Sequence, residues 1–252
     1  MTYKITAPSH IDTTINLPAS KSISNRALIL HALSGGKELP QNLSDCDDTE
    51  VIINALRDMP PTIDIKAAGT AMRFMTAYLS VTPGEHTITG TERMRHRPIR
   101  VLVDALRTLG ADIQYTDEEG YPPLHINGHS LEGGILTIPG DVSSQYISAL
   151  LMVGPTMKKG LTLRLSGDIV SRPYIDLTLH VMHEFGISVD WTNVDTISVE
   201  HQGIHEQPYT IENDWSASSY WYEILAMLDD RESTVRLPGL KDGTRQGGSA
   251  VR

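Results

Sequence analysis

A lysine, an arginine, an asparagine and three serines crowd into Ser20-Lys21-Ser22-Ile23-Ser24-Asn25-Arg26, between Leu17-Pro18-Ala19 and the apolar run Ala27–Leu30. The proline closes an extended segment. The small hydroxyl residues then open a helical run through Ala32 and Leu33, with Ser20 or Ser22 as its cap. Unpaired backbone N–H groups and the positive end of the helix dipole favour an anion at such a start. Lys21 adds a full charge there, and Ser22, Asn25 and Arg26, at i, i+3 and i+4, share one face. The chemistry this suits is the holding of a phosphorylated or carboxylated ligand, although a capped surface helix with ordinary basic residues would read the same in isolation.

The device recurs along the chain. Gly69-Thr70 opens a helix with Arg73 one turn later, Ser143-Ser144-Gln145 opens another, and Asp214-Trp215-Ser216-Ala217-Ser218-Ser219 a third. Arg93, Arg95, Arg97 and Arg100 place four arginines in eight positions, against a background net charge of −10. That acidity argues against nucleic acid or an anionic membrane as a general partner. Cys46 is the one cysteine, so no intrachain disulfide is expected and a reducing, cytoplasmic setting is. Its acidic neighbours Asp45, Asp47 and Asp48 disfavour a thiolate, which makes it a poor nucleophile. Met1 to Asp12 lacks the apolar core of a signal peptide, and no apolar run is long enough to span a membrane. The ten histidines are scattered without metal-ligand spacing, so no metal is expected, and His96 and His125 are read as structural.

Strands are expected at Tyr3–Ile5, Thr14–Leu17, Ile63–Ile65, Glu85–Thr89, Ala111–Gln114, Gly134–Ile138, Leu161–Leu165, Ile187–Asp190 and Thr210–Ile211. Helices are expected from Ser20 to Leu33, Thr49 to Leu56, Ala71 to Leu79, Pro98 to Leu109, Ser143 to Met152, Arg172 to Phe185 and Asp214 to Leu228, with Pro98 in a first turn. Trp215, Trp221 and Tyr222 read as core. Arg97-Pro98-Ile99 through Leu109-Gly110-Ala111-Asp112-Ile113 matches Arg172-Pro173-Tyr174 through Phe185-Gly186-Ile187-Ser188-Val189 with one residue inserted. A strand–helix–strand–helix unit therefore repeats, which makes this an α/β chain of stacked, related units.

Taken together, Leu17-Pro18-Ala19-Ser20-Lys21-Ser22-Ile23-Ser24-Asn25-Arg26-Ala27, Ala68-Gly69-Thr70-Ala71-Met72-Arg73, Arg97-Pro98-Ile99, Val142-Ser143-Ser144-Gln145-Tyr146 and Ser171-Arg172-Pro173-Tyr174-Ile175-Asp176 closely resemble the 5-enolpyruvylshikimate-3-phosphate (EPSP) synthase family, in the family's order. The resemblance covers essentially all of this chain, and the chain covers a little over half of the family's length. It implies two domains of three βαβαββ units each, folded as inside-out barrels, with residues 17–211 forming one whole domain and residues 1–16 and 212–252 part of the other. It implies transfer of the enolpyruvyl group of phosphoenolpyruvate to shikimate 3-phosphate, with no metal or organic cofactor and a monomeric full-length enzyme. By motif, Lys21 looks like the lysine at phosphoenolpyruvate and the reacting centre. Ser22 and Arg26 look like shikimate contacts, Arg26 to its carboxylate. Gly69 would let phosphoenolpyruvate approach the backbone, and Arg97 would clamp its phosphate. Ser143, Ser144 and Ser171 resemble the hydroxyls on the 3-phosphate, Gln145 a residue between both ligands, and Tyr174 a contact beside the shikimate ring. Arg73 is read as partly structural, and Arg93, Arg95 and Arg100 as solvated or interdomain charges.

The chain departs from the family pattern at Ala67, often asparagine; at Phe74, often proline or leucine; and at Gly248, often aspartate. The family's aspartate base, its lysine–glutamate pair and its later phosphoenolpyruvate-binding residues have no counterpart within these 252 residues, so the chain by itself is expected to bind shikimate 3-phosphate without turning over. The related UDP-sugar enolpyruvyl transferase, with a different lysine–asparagine start and a reactive cysteine, and a non-catalytic anion-binding module are the competing readings.

Overall fold

Apolar residues at helical spacing alternate with short runs at strand spacing along the whole chain, and a computed structural model, describing residues 3, 6 and 8–251, gives these patterns a place. The described elements are β1 (Asp12–Thr14), α1 (Lys21–Leu33), α2 (Asp47–Asp58), β2 (Thr62–Asp64), α3 (Gly69–Val81), β3 (Gly84–Thr89), the single turn α4 (Glu92–Arg95), α5 (Arg100–Thr108), β4 (Asp112–Tyr115), β5 (Leu124–Gly128), β6 (Gly134–Pro139), α6 (Ser144–Val153), β7 (Leu161–Ser166), α7 (Arg172–Glu184), β8 (Val189–Asn193), β9 (Thr196–Val199), α8 (Trp215–Met227) and β10 (Thr234–Arg236). Among the described residues no helix is long and apolar enough to cross a membrane.

The strands form two four-stranded mixed sheets, β2-β3-β5-β4 and β6-β7-β9-β8. In each, the first two strands run parallel, joined across a helix, and a hairpin completes the sheet antiparallel. A parallel pair needs such a crossover, because a short turn can only reverse the chain. One face of each sheet is buried, as the alternation of buried and open residues along β6, β7 and β9 records. Helices α1, α3 and α6 pack on one another, α3 lies against β3 and β5, α5 against β4 and β6, and α7 against β8. The first three are buried almost all round, including Ile23–His31 of α1, where Ser24, Asn25, Arg26 and His31 are buried among apolar residues, and Tyr146–Val153 of α6. A separate parallel pair, β1 with β10, holds residues 12–14 against 234–236.

Several expectations need correction. The strand expected at Thr14–Leu17 lies earlier, at β1, and Thr210–Ile211 makes a single bridge from Thr210 to Gln41 rather than a strand. Tyr3–Ile5 falls largely outside the described residues. Pro98 does not enter a first turn: Ile99, at φ −134° and ψ 2°, caps α5, which begins at Arg100. Trp215 is core at 2 % exposure, but Trp221 and Tyr222 are only half-buried, because α8 packs chiefly on β10 and the short 3-10 turn at Gly247–Val251.

Phe185, at the end of α7, is wholly buried and stacks at 46° on Tyr209, with ring centroids 5.5 Å apart. Phe185→Ala should remove about 3–5 kcal/mol of stability, read as a lowered urea midpoint. A loss below about 1 kcal/mol would show that the site can collapse around the smaller side chain.

Candidate functional site

The first turns of five helices border one cleft of about 360 Å³. From α1 come Lys21, Ser22, Asn25 and Arg26; from α3, Thr70; from α6, Ser144 and Gln145 with Ser143 before them; from α7, Tyr174 with Ser171 before it; from α8, Ser216 with Asp214 before it. Eight of the ten residues singled out in the sequence line this cleft: Lys21, Ser22, Arg26, Ser143, Ser144, Gln145, Ser171 and Tyr174.

The helix starts are sparsely capped. Ser20 stands at the cap position of α1 but, contrary to the sequence expectation, its side chain caps nothing; it is buried, and its backbone N–H donates to the Glu212 carbonyl at 2.9 Å. Ala68, before α3, has no side-chain acceptor to offer, and Ser171, before α7, sits in the left-handed region at φ 60° and makes no cap bond. At α6 the Gln145 N–H reaches Ser143 Oγ only at 3.4 Å. Asp214 is the effective cap, accepting from the Ser216 N–H at 2.8 Å. The first N–H groups of α1, α3 and α7 are therefore left for other acceptors.

Arg26 is the buried charge of the cleft, 3 % exposed. Its Nε donates to Thr178 Oγ1 at 2.8 Å, Nη1 to the Ser22 carbonyl at 2.8 Å, and Nη2 to Ser148 Oγ at 3.0 Å. The guanidinium lies 5.4 Å from the centre of the Phe74 ring. All these partners are neutral, and among the described residues no carboxylate pairs with it. Burial pulls its pKa from 12.5 down to about 10, so it remains a cation at neutral pH.

Gly69 and Arg97 lie beside the cleft rather than in its lining. A Cβ at Gly69 would come within 2.4 Å of Arg97 Nη1 and 2.8 Å of Arg73 Nη1, so the glycine lets both guanidinium groups lie close against this helix start. Arg73 donates to the Gly69 carbonyl at 2.7 Å and faces the Tyr146 ring at 5.4 Å, while Tyr146 donates to the Pro98 carbonyl at 2.8 Å. Burial first, and then the charges of Arg73 and Arg93, hold the Arg97 pKa below its ordinary value. Gln145 joins the two groups of residues, its Nε2 donating to Thr70 Oγ1 at 3.2 Å. Arg93, Arg95 and Arg100 are exposed, and Arg100 pairs with Glu119 at 3.2 Å.

The sequence reading did not single out Asn25, Thr70, Asp214 or Ser216 as site residues. Thr70 and Ser216 follow the small-residue helix starts it had noted. Asn25 is wholly buried; its Oδ1 accepts from Thr49 Oγ1 at 2.7 Å. Asp214 is the one carboxylate among the described lining residues.

A model of the family described as EPSP synthase (3-phosphoshikimate 1-carboxyvinyltransferase) matches residues 5–64 and 59–252. A 3-phosphoshikimate 1-carboxyvinyltransferase of Bacteroides fragilis is 60 % identical over 249 residues, 99 % of this chain and 60 % of that protein. One from Yersinia pestis is 39 % identical over 265 residues, 94 % of this chain and 61 % of that protein. The solved EPSP synthase from Acinetobacter baumannii superposes on 92 % of this chain and 57 % of its own with a TM-score of 0.75 at 21 % identity, a likeness of fold. The chain spans about 60 % of the length of the curated relatives it matches.

Arg26→Met would remove a desolvated charge from the unliganded chain. Ser148 and Thr178 would still hold each other at 2.7 Å, with Thr178 donating to the Tyr174 carbonyl at 2.9 Å. The thermal midpoint of the unliganded variant should therefore be no lower than the parent's. A drop of about 4 °C or more would mark Arg26 as a structural cation instead.

Proposed function

The chain belongs to the EPSP synthase family, and from that premise we propose that the whole protein transfers the enolpyruvyl group of phosphoenolpyruvate to the 5-hydroxyl of shikimate 3-phosphate and releases phosphate. This chain contributes the shikimate 3-phosphate side of the cleft. The observation that carries the reading is the meeting of sparsely capped helix starts, Lys21 and the unpaired buried cation Arg26 around one hollow.

In this reading Ser143, Ser144 and Ser171 hold the 3-phosphate, Ser22 and Arg26 hold the shikimate body with Arg26 on its carboxylate, and Tyr174 lies beside the ring. Gly69 and Arg97 meet phosphoenolpyruvate, Arg97 at its phosphate. Gln145 lies between the ligands, in keeping with its bond to Thr70 across the two groups of residues. Lys21 stands at the reacting centre. Two polyanions side by side in a closing site repel strongly; charge-assisted hydrogen bonds, about 1.5–3 kcal/mol each, offset this. The enol carbon of phosphoenolpyruvate gains a proton, and the 5-hydroxyl oxygen bonds to the adjacent carbon as it loses its own. The carbon–oxygen bond to phosphate then breaks, and loss of a proton from the new methyl group restores the double bond. The protein supplies position, charge and proton transfer.

Two sheets sharing one strand order support an inside-out barrel of three βαβαββ units over residues 17–211. The β1–β10 pair supports assigning residues 1–16 and 212–252 together to a second domain. The whole enzyme is read as monomeric and as cytoplasmic, the latter in keeping with the one thiol in these 252 residues.

Calorimetry on this chain should find binding of shikimate 3-phosphate and poor binding of phosphoenolpyruvate. Ser144→Ala combined with Ser171→Ala should weaken shikimate 3-phosphate binding more than Lys21→Ala does, and Arg26→Met should weaken it about tenfold or more. The reverse order for the first two would refute the placement of the phosphate. A phosphate-release assay on this chain should detect negligible turnover; rates above about 1 s⁻¹, ordinary for an enzyme, would refute the need for further sequence.

A further inference from the structure

The Arg-Pro opening occurs twice in the chain, but its two arginines part company. Arg97 lies beside the cleft, against Gly69. Arg172, its counterpart at the start of α7, is not among the described residues that line the cleft. Its guanidinium lies instead 4.0 Å from the centre of the Trp191 ring on β8, against 5.4 Å for Arg26 over Phe74. Arg172 Nη1 also donates to the Val194 carbonyl, in the turn between β8 and β9, at 3.2 Å. Trp191 is fixed in its turn, because its Nε1 donates to Asp176 Oδ1 at 2.8 Å. Asp176 stands one turn after Arg172 on α7, so two side chains at i and i+4 grip the indole by face and by edge.

The residue next to this grip is strained. Ser171 has φ 60° and ψ 34°, a left-handed backbone that costs free energy in any residue with a Cβ. Among the described residues Asn42, Met59 and Lys66 share a positive φ outside glycine, and of these four Ser171 lines the cleft. Such a backbone persists only where its surroundings over-determine it. Ahead of Ser171, the Val170 N–H donates to the Gly140 carbonyl at 3.1 Å and the Gly140 N–H to the Ser166 carbonyl at 2.7 Å. These bonds tie the loop to the turn that leads into Ser143 and Ser144. Behind Ser171, the hold is the clasp of Arg172 on Trp191 and Val194. Tyr174 has an anchor of its own, its carbonyl accepting from Thr178 Oγ1 at 2.9 Å and from Arg26 Nη2 at 3.4 Å.

We propose that Arg172 and Trp191 are positioning residues for Ser171. Their stack fixes the start of α7, so that Ser171 keeps its left-handed backbone at the wall of the cleft and its hydroxyl is in place for the phosphate of shikimate 3-phosphate. This role rests on the reading of Ser171 as a phosphate contact. Neither Arg172 nor Trp191 touches the ligand; both act through the backbone of Ser171.

The test is calorimetric titration of the full chain with shikimate 3-phosphate. Arg172→Ala and Trp191→Ala should each weaken binding about fivefold, and the two together no more than either alone. Trp191→Phe, which keeps a ring face for the guanidinium, should return the affinity to within about twofold of the parent's. In a Ser171→Ala background, itself weakened, Arg172→Ala should change the affinity by less than about twofold, because no hydroxyl is left to place. The comparison stands on Arg172→Ala alone should Trp191→Ala not fold, since the Arg172 side chain is only half-buried. An equal loss from Arg172→Ala with and without the Ser171 hydroxyl would mark a general loosening of the fold and overturn the proposal. Weakened binding by Ser171→Ala with parental binding by Arg172→Ala would overturn the positioning role alone. Parental binding by Ser171→Ala would overturn the placement of the phosphate, and this role with it.

Discussion

A buried guanidinium without a counter-ion is the constraint around which the helices are arranged. Arg26 issues from α1, bonds Thr178 of α7 and Ser148 of α6, and lies against Phe74 of α3. One side chain thereby touches four helices where they meet. Because its partners are the hydroxyls of Thr178 and Ser148 and the carbonyls of Ser22 and Tyr174, its geometry is satisfied while its charge is not. In a low-dielectric setting such a charge favours the arrival of an anion more than any exposed lysine could. Position is thus settled before a ligand binds, which is the condition for a preorganised electrostatic site.

The helix starts follow the same logic on a smaller scale. A helix is ordinarily begun by a side chain that accepts from its own first N–H groups. Around this cleft that acceptor is missing at α3, unused at α1 and turned aside at α7, where Ser171 holds a left-handed backbone. Ser171, which could have closed α7, instead borders the cleft, while Ser20, before α1, is buried. Each omission weakens the free fold slightly and leaves a donor for an acceptor from outside, so folding and anion binding are linked: whatever fills the cleft stabilises the chain.

Much of this was legible because it is local. Proline followed by small hydroxyl residues announces a helix start wherever it stands, and the paired Arg-Pro openings announced the repeated unit. What escaped the sequence depends on partners far along the chain. Strands β5 and β9 are short and take their identity from pairing with β3 and β7. Pro98 reads as a helix opener, yet its own carbonyl accepts from the Tyr146 hydroxyl, 48 residues away, and the helix waits until Arg100. Asn25 looked like one polar residue among several on a helix face; only its bond to Thr49 on α2 shows how its amide is held. Asp214 could be recognised as a cap, but not as a wall of a cleft whose other walls begin some 40 to 190 residues earlier.

Pointing so many helix starts one way also gives the molecule two electrostatic ranges. Far away, an approaching anion meets the field of a chain with net charge −10 and is repelled. Within the cleft it meets Lys21, Arg26 and bare amides, and is held. Dissolved salt, with a screening length of about 8 Å at physiological strength, cancels the first field well before the second. Added electrolyte therefore raises the rate at which anions reach the cleft while relaxing the grip on those already inside, and the two effects separate in time even where they cancel at equilibrium.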